Sequence, residues 1–376
     1  MRLLFVCSSS YVFGAEIVTL SLLEGLRDRG HDLMAAVGPR EWSDGDFHDR
    51  VRRLGIFQTE LALGTVSMTL NWKAFRWTLA CIMRLPRLYS QFRNVKRDFK
   101  PDLVILTSPR HGLLLFPLLT RNRTLLHVHS GTTVRLRQLL LWRLIMARVQ
   151  TFIAVSHFIL KELQEIGVPS DRVAVIHNGI LDRNFSPSAG GIDDLLRIVV
   201  VGQIAAWKGI EDVIAAAEIL KQRTVAFKIL VFGAGDASYV QQLRQTIERL
   251  ELIPYFEWMG FVADRDEIYT KADICLIASR FEEPFGLVAV EAGAAAVPVV
   301  ATRRGGLPEI IKDGTTGLLV EANSAAQIAD AISTLHQNPT LRKSMGTSAR
   351  AHVYNLFGRE RMLDAFEALC RSQINC

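Results

Sequence analysis

The chain is poor in cysteine. Its five cysteines in 376 residues, Cys7, Cys81, Cys275, Cys370 and Cys376, are widely spaced and include no CxxC pair. That spacing excludes a zinc knuckle and suits a reducing compartment rather than a disulfide-stapled secreted domain. Long apolar runs are also lacking. The stretch GLLLFPLLT at 112–120 falls far short of the roughly 20 residues that span a bilayer, so no transmembrane helix is predicted. The opening MRLLFVCSSS has a basic residue and a short apolar run but no small-residue cleavage site, and reads as a strand rather than a leader. The cytoplasm is the expected compartment. Finally, acidic side chains are nearly missing from one region: residues 61–150 hold 15 Lys and Arg against Asp98 and Asp102 alone.

That region carries Trp72, Phe75, Trp77, Phe92 and Trp142 interleaved with Lys73, Arg76, Arg84, Arg87, Arg93, Lys96 and Arg97. Basic side chains mixed with aromatics at helical spacing describe a helix lying in an anionic membrane interface, a nucleic-acid surface, or a solvated basic face over a core stripe. Across the whole chain the formal charge is +6. Residues 1–185 hold 25 basic against 15 acidic side chains, the remainder 19 against 23.

Strand-like runs alternate with amphipathic runs, as in parallel α/β units. LLFVC (3–7) is followed by a helix with Val18, Leu22 and Leu26 on one face. A second series starts at LRIVVVG (196–202) and continues through FKILVFG, FEWMG, DICLIAS, VPVVAT and GLLV (317–320). Between them lies NFSPSAGGIDD (184–194), a linker composition. Two doubly wound, Rossmann-like domains facing across a cleft follow: 1–185, 186–355, and a helix over 356–376 that returns to the first domain.

Ligands of such sheets bind beyond the carboxyl ends of the strands, near helix N-termini. There the sequence places Gly14 in SSSYVFGAE, GQIAAWKG (202–209) with Gln203 and Lys208, and the FGAG turn with Gly233. A lysine at a helix start is unfavourable against the macrodipole unless an anion sits there too; otherwise it is a surface lysine. The run FEEPFGLVAVEAG (281–293) sets Glu291 among small apolar residues, eight positions after Glu283. On a helix that is roughly 12 Å, about the length of a nucleoside diphosphate-sugar laid along the axis. A diphosphate would then meet the N–H groups of Phe285, Gly286 and Leu287. A buried, unpartnered Glu is costly, whereas one accepting hydrogen bonds from a sugar diol is satisfied; the competing reading is an internal cap or ion pair. Asp44-Gly45-Asp46 reads as a polar loop rather than a metal-binding DxD, and His127 and His129 lack a third ligand at suitable spacing. The same two glutamates are too far apart for the carboxyl pair of a glycoside hydrolase.

With E283-P-F-G-L-V-A-V-E291, GQIAAWKG, FGAG, ADICLIAS, VPVVAT, GGLPEII and DGTTGLLV in this order, the chain resembles the retaining glycosyltransferases of family four, which have the GT-B fold. FGAE, AVSHFILKEL and VIHNGI match in the N-terminal half; the stretch 40–125 is less regular. The resemblance implies that Lys208 contacts the donor pyrophosphate, Glu291 the ribose and Glu283 the transferred sugar. It also implies that Gly14 backs the phosphates and His129 lies near the donor sugar. Catalysis then falls to Glu283, His129 and Lys208, and donor binding to Gly14, Gln203, Lys208, Gly233, Phe285, Gly286, Leu287 and Glu291. The implied reaction is metal-independent hexosyl transfer with retention, from a UDP-sugar before other nucleotide-sugars. Neither a cofactor nor nucleic acid is expected to take part. The acceptor expected is a saccharide or lipid-linked sugar of the cell envelope or an exopolysaccharide, met at the inner face of the cytoplasmic membrane through residues 65–150. Three departures stand out: Gln203 where relatives carry Arg, Phe13-Gly14 for a double glycine, and Leu181 with Asp182 where Asp follows Asn-Gly. A GT-B sugar-nucleotide epimerase or a non-catalytic GT-B scaffold remain as alternatives.

Overall fold

The computed structural model describes residues 1–7, 12–39, 45–64, 72–131, 136–180, 195–262 and 264–374. Ser8–Tyr11, Asp44, Leu181, Asp182 and the 184–194 linker lie outside them, as do the side chains of Trp72, Lys73, Phe75, Arg76 and Trp77. The chain divides into two units, Met1–Gly179 with Arg359–Cys376, and Ile180–Gly358.

The first unit alternates β1 (Arg2–Cys7), α1 (Gly14–Asp28), β2 (Asp32–Val37), α2 (Phe47–Arg53), β3 (Phe57–Glu60), α3 (Trp72–Phe99), β4 (Leu103–Leu106), α4 (Pro109–Leu114), β5 (Thr124–Val128), α5 (Leu136–Arg148), β6 (Thr151–Ala154), α6 (His157–Glu165) and β7 (Val173–Val175). The second contains β8 (Leu196–Val201), α7 (Ile210–Gln222), β9 (Phe227–Phe232), α8 (Ala237–Arg249), β10 (Phe256–Gly260), α9 (Arg265–Tyr269), β11 (Ile274–Ile277), α10 (Leu287–Ala294), β12 (Val299–Thr302), α11 (Leu307–Ile310), β13 (Gly317–Val320), α12 (Ala325–Gln337) and α13 (Pro339–Leu356). The last helix, α14 (Arg359–Ile374), belongs to the first unit.

Both sheets are parallel, in the orders β3-β2-β1-β4-β5-β6-β7 and β10-β9-β8-β11-β12-β13. The strands read as continuous apolar runs because both faces are covered: Ile198 pairs with Ile229 and Ile274, and all three are fully enclosed with Ile214, Leu220, Ile328 and Leu335 of α7 and α12. Strand order reverses between β1 and β4 and again between β8 and β11. These two switch points are where a doubly wound sheet opens a crevice for ligands.

Local signals set the helix ends. Ser156 accepts from the Ile159 N–H at 3.1 Å and starts α6; Asp236 accepts from the Ser238 and Tyr239 N–H groups and starts α8. α14 packs on α1, where a side chain at Gly25 would collide with Leu363, and Phe366 stacks on Phe5 at 6.1 Å. Arg29 binds Glu360, Asp364 and Glu367 at 2.7, 2.7 and 3.0 Å, and Arg359 binds Glu24 at 2.8 Å.

Among the described residues no helix is long and apolar enough to cross a membrane. In the basic region the described aromatics of the mixed pattern take the place of the core stripe, one of the readings the sequence left open. Phe92 and Trp142 are buried core residues, so the described aromatics do not face outward. The outward apolar side chains are instead aliphatic: Leu79, Ile82 and Met83 on α3, Leu140 and Leu144 on α5. Arg87 and Arg93 continue the exposed face of α3.

Candidate functional site

In the second unit the loops after β8 and β11 meet. Lys208 ends a short turn (Ala206–Lys208) before α7, and Gly209 caps that helix in the left-handed conformation. The Lys208 ammonium pairs with Glu283 and lies 4.2 Å from the Trp207 ring centroid. Glu283 is 8% exposed, and the Ser279 hydroxyl donates to it. A buried charge pair of this kind is stabilising only when well satisfied, and removing one partner leaves the other uncompensated. Arg280 clamps the two loops together. Its guanidinium grips Asp212 through two bonds of 2.7 and 2.8 Å, reaches Glu211 at 3.3 Å, and its backbone N–H donates to the Trp207 carbonyl.

Glu291 sits one helix further on, in α10, and is 8% exposed. It is not unpartnered: the Tyr269 hydroxyl donates to Oε2 at 3.0 Å, and Arg265 Nε lies 3.8 Å from Oε1. Glu283 and Glu291 thus bracket the start of α10. That start falls at Leu287, later than the sequence suggested. Gly286 caps it with φ 113°, a conformation that favours glycine, and Phe285 precedes the helix. Phe285 is buried edge-on against Phe357, at 5.7 Å, and fills core rather than opening the first turn. Gly233 follows β9 with φ 144°, and a Cβ there would lie 1.8 Å from the Gly202 carbonyl oxygen. Its glycine is therefore already required by the approach of two backbones. Gln203, beside it, is exposed.

In the first unit Gly14 opens α1, and the Glu16 carboxylate accepts from the Phe13 N–H at 3.1 Å. A cavity of about 190 Å³ lies at the carboxyl ends of β1, β4 and β5, lined by Glu16, Thr107, Ser108, His129 and Ser130 among others. Burial lowers the His129 pKa to about 4, so at neutral pH this imidazole is uncharged. His127 lies beneath it, ring centroids 3.9 Å apart, fully buried and held well below its ordinary pKa. A larger depression of about 830 Å³ in the second unit, around Arg197, Lys228 and Tyr255, opens at the amino ends of β8–β10, away from both switch points.

Sequence reasoning missed Ser279, Arg280, Asp212, Arg265 and Tyr269. The signal for the first two was their place at a strand end. Asp212 in the first turn of α7 and the short α9 look like ordinary helix-start charges.

Residues 182–352 match the model of glycosyl transferases group 1, and residues 12–182 that of glycosyltransferase family 4. The chain is of the family-four glycosyltransferase type. It is 29% identical over 225 residues to N-acetyl-alpha-D-glucosaminyl L-malate synthase of Bacillus anthracis, covering 57% of this chain and 58% of that protein. It is 31% identical over 213 residues to the D-inositol 3-phosphate glycosyltransferase of Pseudarthrobacter chlorophenolicus, covering 54% and 49%. The match thus spans about half the length of these curated relatives. Among solved structures it superposes on Anabaena Alr3699/HepE in complex with UDP and glucose with a TM-score of 0.81 at 20% identity, covering 99% and 100% of the chains. Sucrose-phosphate synthase of Thermosynechococcus elongatus gives 0.80 at 21% identity, covering 99% of each. The fold of this family-four chain is GT-B.

Proposed function

We propose that this chain transfers a sugar from a nucleotide-sugar, UDP-sugars first, to a saccharide or lipid-linked acceptor, with retention and without a metal. The observation that carries the reading is the Lys208–Glu283 pair at the β8/β11 switch point, with Glu291 set one helix beyond. In the ligand-free protein each charge satisfies the other. A diphosphate would take the ammonium, and a sugar hydroxyl would then donate to the freed Glu283 carboxylate. Glu291 would accept from the ribose.

In the transfer itself the bond from the sugar's anomeric carbon to the diphosphate oxygen breaks and a bond to the acceptor oxygen forms. The acceptor proton leaves with the diphosphate, on the face from which that group departs. Charge grows on the departing diphosphate, where Lys208 and the amino end of α10 supply preorganised stabilisation. For the first unit we carry over the roles implied by the family: Gly14 toward the phosphates and His129, as neutral imidazole, toward the transferred sugar. The relatives' names support the reaction class: one is an N-acetylglucosaminyl malate synthase, another an inositol phosphate glycosyltransferase. HepE was solved with UDP and with UDP-glucose, which supports the donor class. We further propose that the aliphatic and basic face of α3 and α5 rests on the anionic inner surface of the cytoplasmic membrane, serving an envelope or exopolysaccharide acceptor.

The test is nucleoside diphosphate release from UDP-, GDP- and ADP-sugars, with and without membrane lipid extract, by wild type and Glu291→Ala. Release from one donor, dependent on lipid and abolished in the variant, is the expected result. Conversion of the donor without an acceptor would instead indicate an epimerase. Binding and turnover of none would favour a scaffold, for which exposed Gln203 at the position of the usual cation is the structural argument.

A further inference from the structure

We infer that Tyr269 is a positioning residue for Glu291, fixing the plane of the carboxylate before a nucleotide arrives; this rests on the reading of Glu291 as the ribose ligand. Glu291 occupies a helix whose neighbouring residues, Ala289, Val290, Ala292, Gly293 and Ala294, are buried and offer no side-chain donor. A glutamate there keeps soft terminal torsions, and its orientation must come from a neighbouring element. That element is α9, started by Asp264, whose side chain accepts from the Asp266 N–H at 3.0 Å. Arg265 and Tyr269 stand four residues apart on one face of α9, and both address the same carboxylate.

The two partners differ in kind. Tyr269 is fully buried, and its hydroxyl lies 3.0 Å from Glu291 Oε2 and 3.4 Å from the Val288 carbonyl oxygen. Burial and the adjacent carboxylate push the phenol pKa well above its ordinary value, so the proton stays on and Tyr269 remains a donor. The rigid ring, packed on all sides, specifies direction. Arg265 is more exposed and stands at 3.8 Å from Oε1, supplying charge rather than geometry. With the Tyr269 bond made in the free protein, the carboxylate need not be ordered when the vicinal hydroxyls of a ribose bind.

The experiment is calorimetric titration of the full chain with UDP, GDP and ADP and with their 2′-deoxy and 3′-deoxy forms, for wild type, Tyr269→Phe and Glu291→Gln, with thermal midpoints recorded in parallel. Wild type should hold the parent diphosphate more tightly than either deoxy form. Tyr269→Phe should bind the parent about tenfold more weakly and the deoxy forms within about twofold of wild type, the loss expected for one hydrogen bond to a charged group. In turnover its effect should fall on KM for the donor and leave kcat nearly unchanged. A Tyr269→Phe protein that discriminates parent from deoxy as well as wild type overturns the proposal and leaves a packing role, whatever its thermal midpoint. If wild type binds none of these diphosphates, or holds the deoxy forms equally, or if Glu291→Gln, which loses the charge assistance of the carboxylate, discriminates as well as wild type, the ribose reading of Glu291 fails and the proposal falls with it.

Discussion

Lys208 and Glu283 were visible in the sequence as a cation at a helix start and a carboxylate before one, but their direct pairing was not. The pairing depends on β8 and β11 being neighbours, which local spacing cannot encode. It changes what a substitution means. In Lys208→Met the diphosphate loses its cation, and Glu283 also loses its partner in a buried setting. The expected loss in kcat is about 10²-fold to 10³-fold, the range for removing one preorganised stabiliser of leaving-group charge. Because the two residues touch, Lys208→Met with Glu283→Gln should lose much less than the product of the single effects. Steady-state turnover of the four proteins in a double-mutant cycle checks this; independent, multiplicative losses would separate the residues' roles. The missed residues share one cause. Arg280, Asp212 and Tyr269 act on side chains 68 and 22 positions away, across elements, and carry no motif of their own.

Strands were legible because parallel sheets covered on both faces are written as unbroken Val, Ile and Leu runs. Helix ends were less so. The sequence ran the helix from Glu283 to Glu291 and so put Phe285 in its first turn, yet Gly286 must take φ 113° to turn the chain, which puts Phe285 into the core and begins α10 at Leu287. The same difficulty of facing affects α3. Composition gave its basic, aromatic character, while burial shows that Phe92 points inward and Leu79, Ile82 and Met83 outward. On this element the membrane reading makes a specific prediction. Ile82→Glu with Met83→Glu removes apolar contact and adds like charge toward an anionic surface, at positions that carry no core packing. Flotation with phosphatidylglycerol vesicles should then fall at least tenfold, with the unfolding midpoint unchanged. Arg87→Glu should weaken binding in a salt-dependent way, and phosphatidylcholine vesicles should recruit neither protein. Equal flotation of wild type and Ile82→Glu/Met83→Glu would remove α3 from any membrane contact.

At the scale of the whole molecule the two units differ in how they store titratable groups. In the first, His31, His111, His127 and His129 are all held below the ordinary histidine range, chiefly by burial, with His111 at about 3 and His129 at about 4. In the second, His352 is lowered for the same first cause. A folded-state pKa below the unfolded one means the native state excludes a proton that the unfolded chain accepts. The contribution is therefore fully present above the unfolded value near 6.5 and is lost as pH falls from there toward the folded values. Each deeply buried imidazole removes about 1.4 kcal/mol per pH unit below 6.5. The carboxylate of Glu367, held at about 2 chiefly by Arg371, works in the same sense but in a lower window: its contribution is lost only as pH falls from the ordinary carboxylate range toward 2, so it adds nothing to the dependence between pH 7 and 5. Between pH 7 and 5, hydrogen exchange read separately over residues 1–179 and 195–358 should show protection falling several-fold more steeply in the first set. His111→Gln, which replaces an imidazole buried in α4, should flatten that dependence even where it lowers stability at pH 7. Parallel loss of protection in both units would mean that the buried histidines of the first are hydrated or paired in solution, and that His129 is not confined to its neutral form at the pH of transfer.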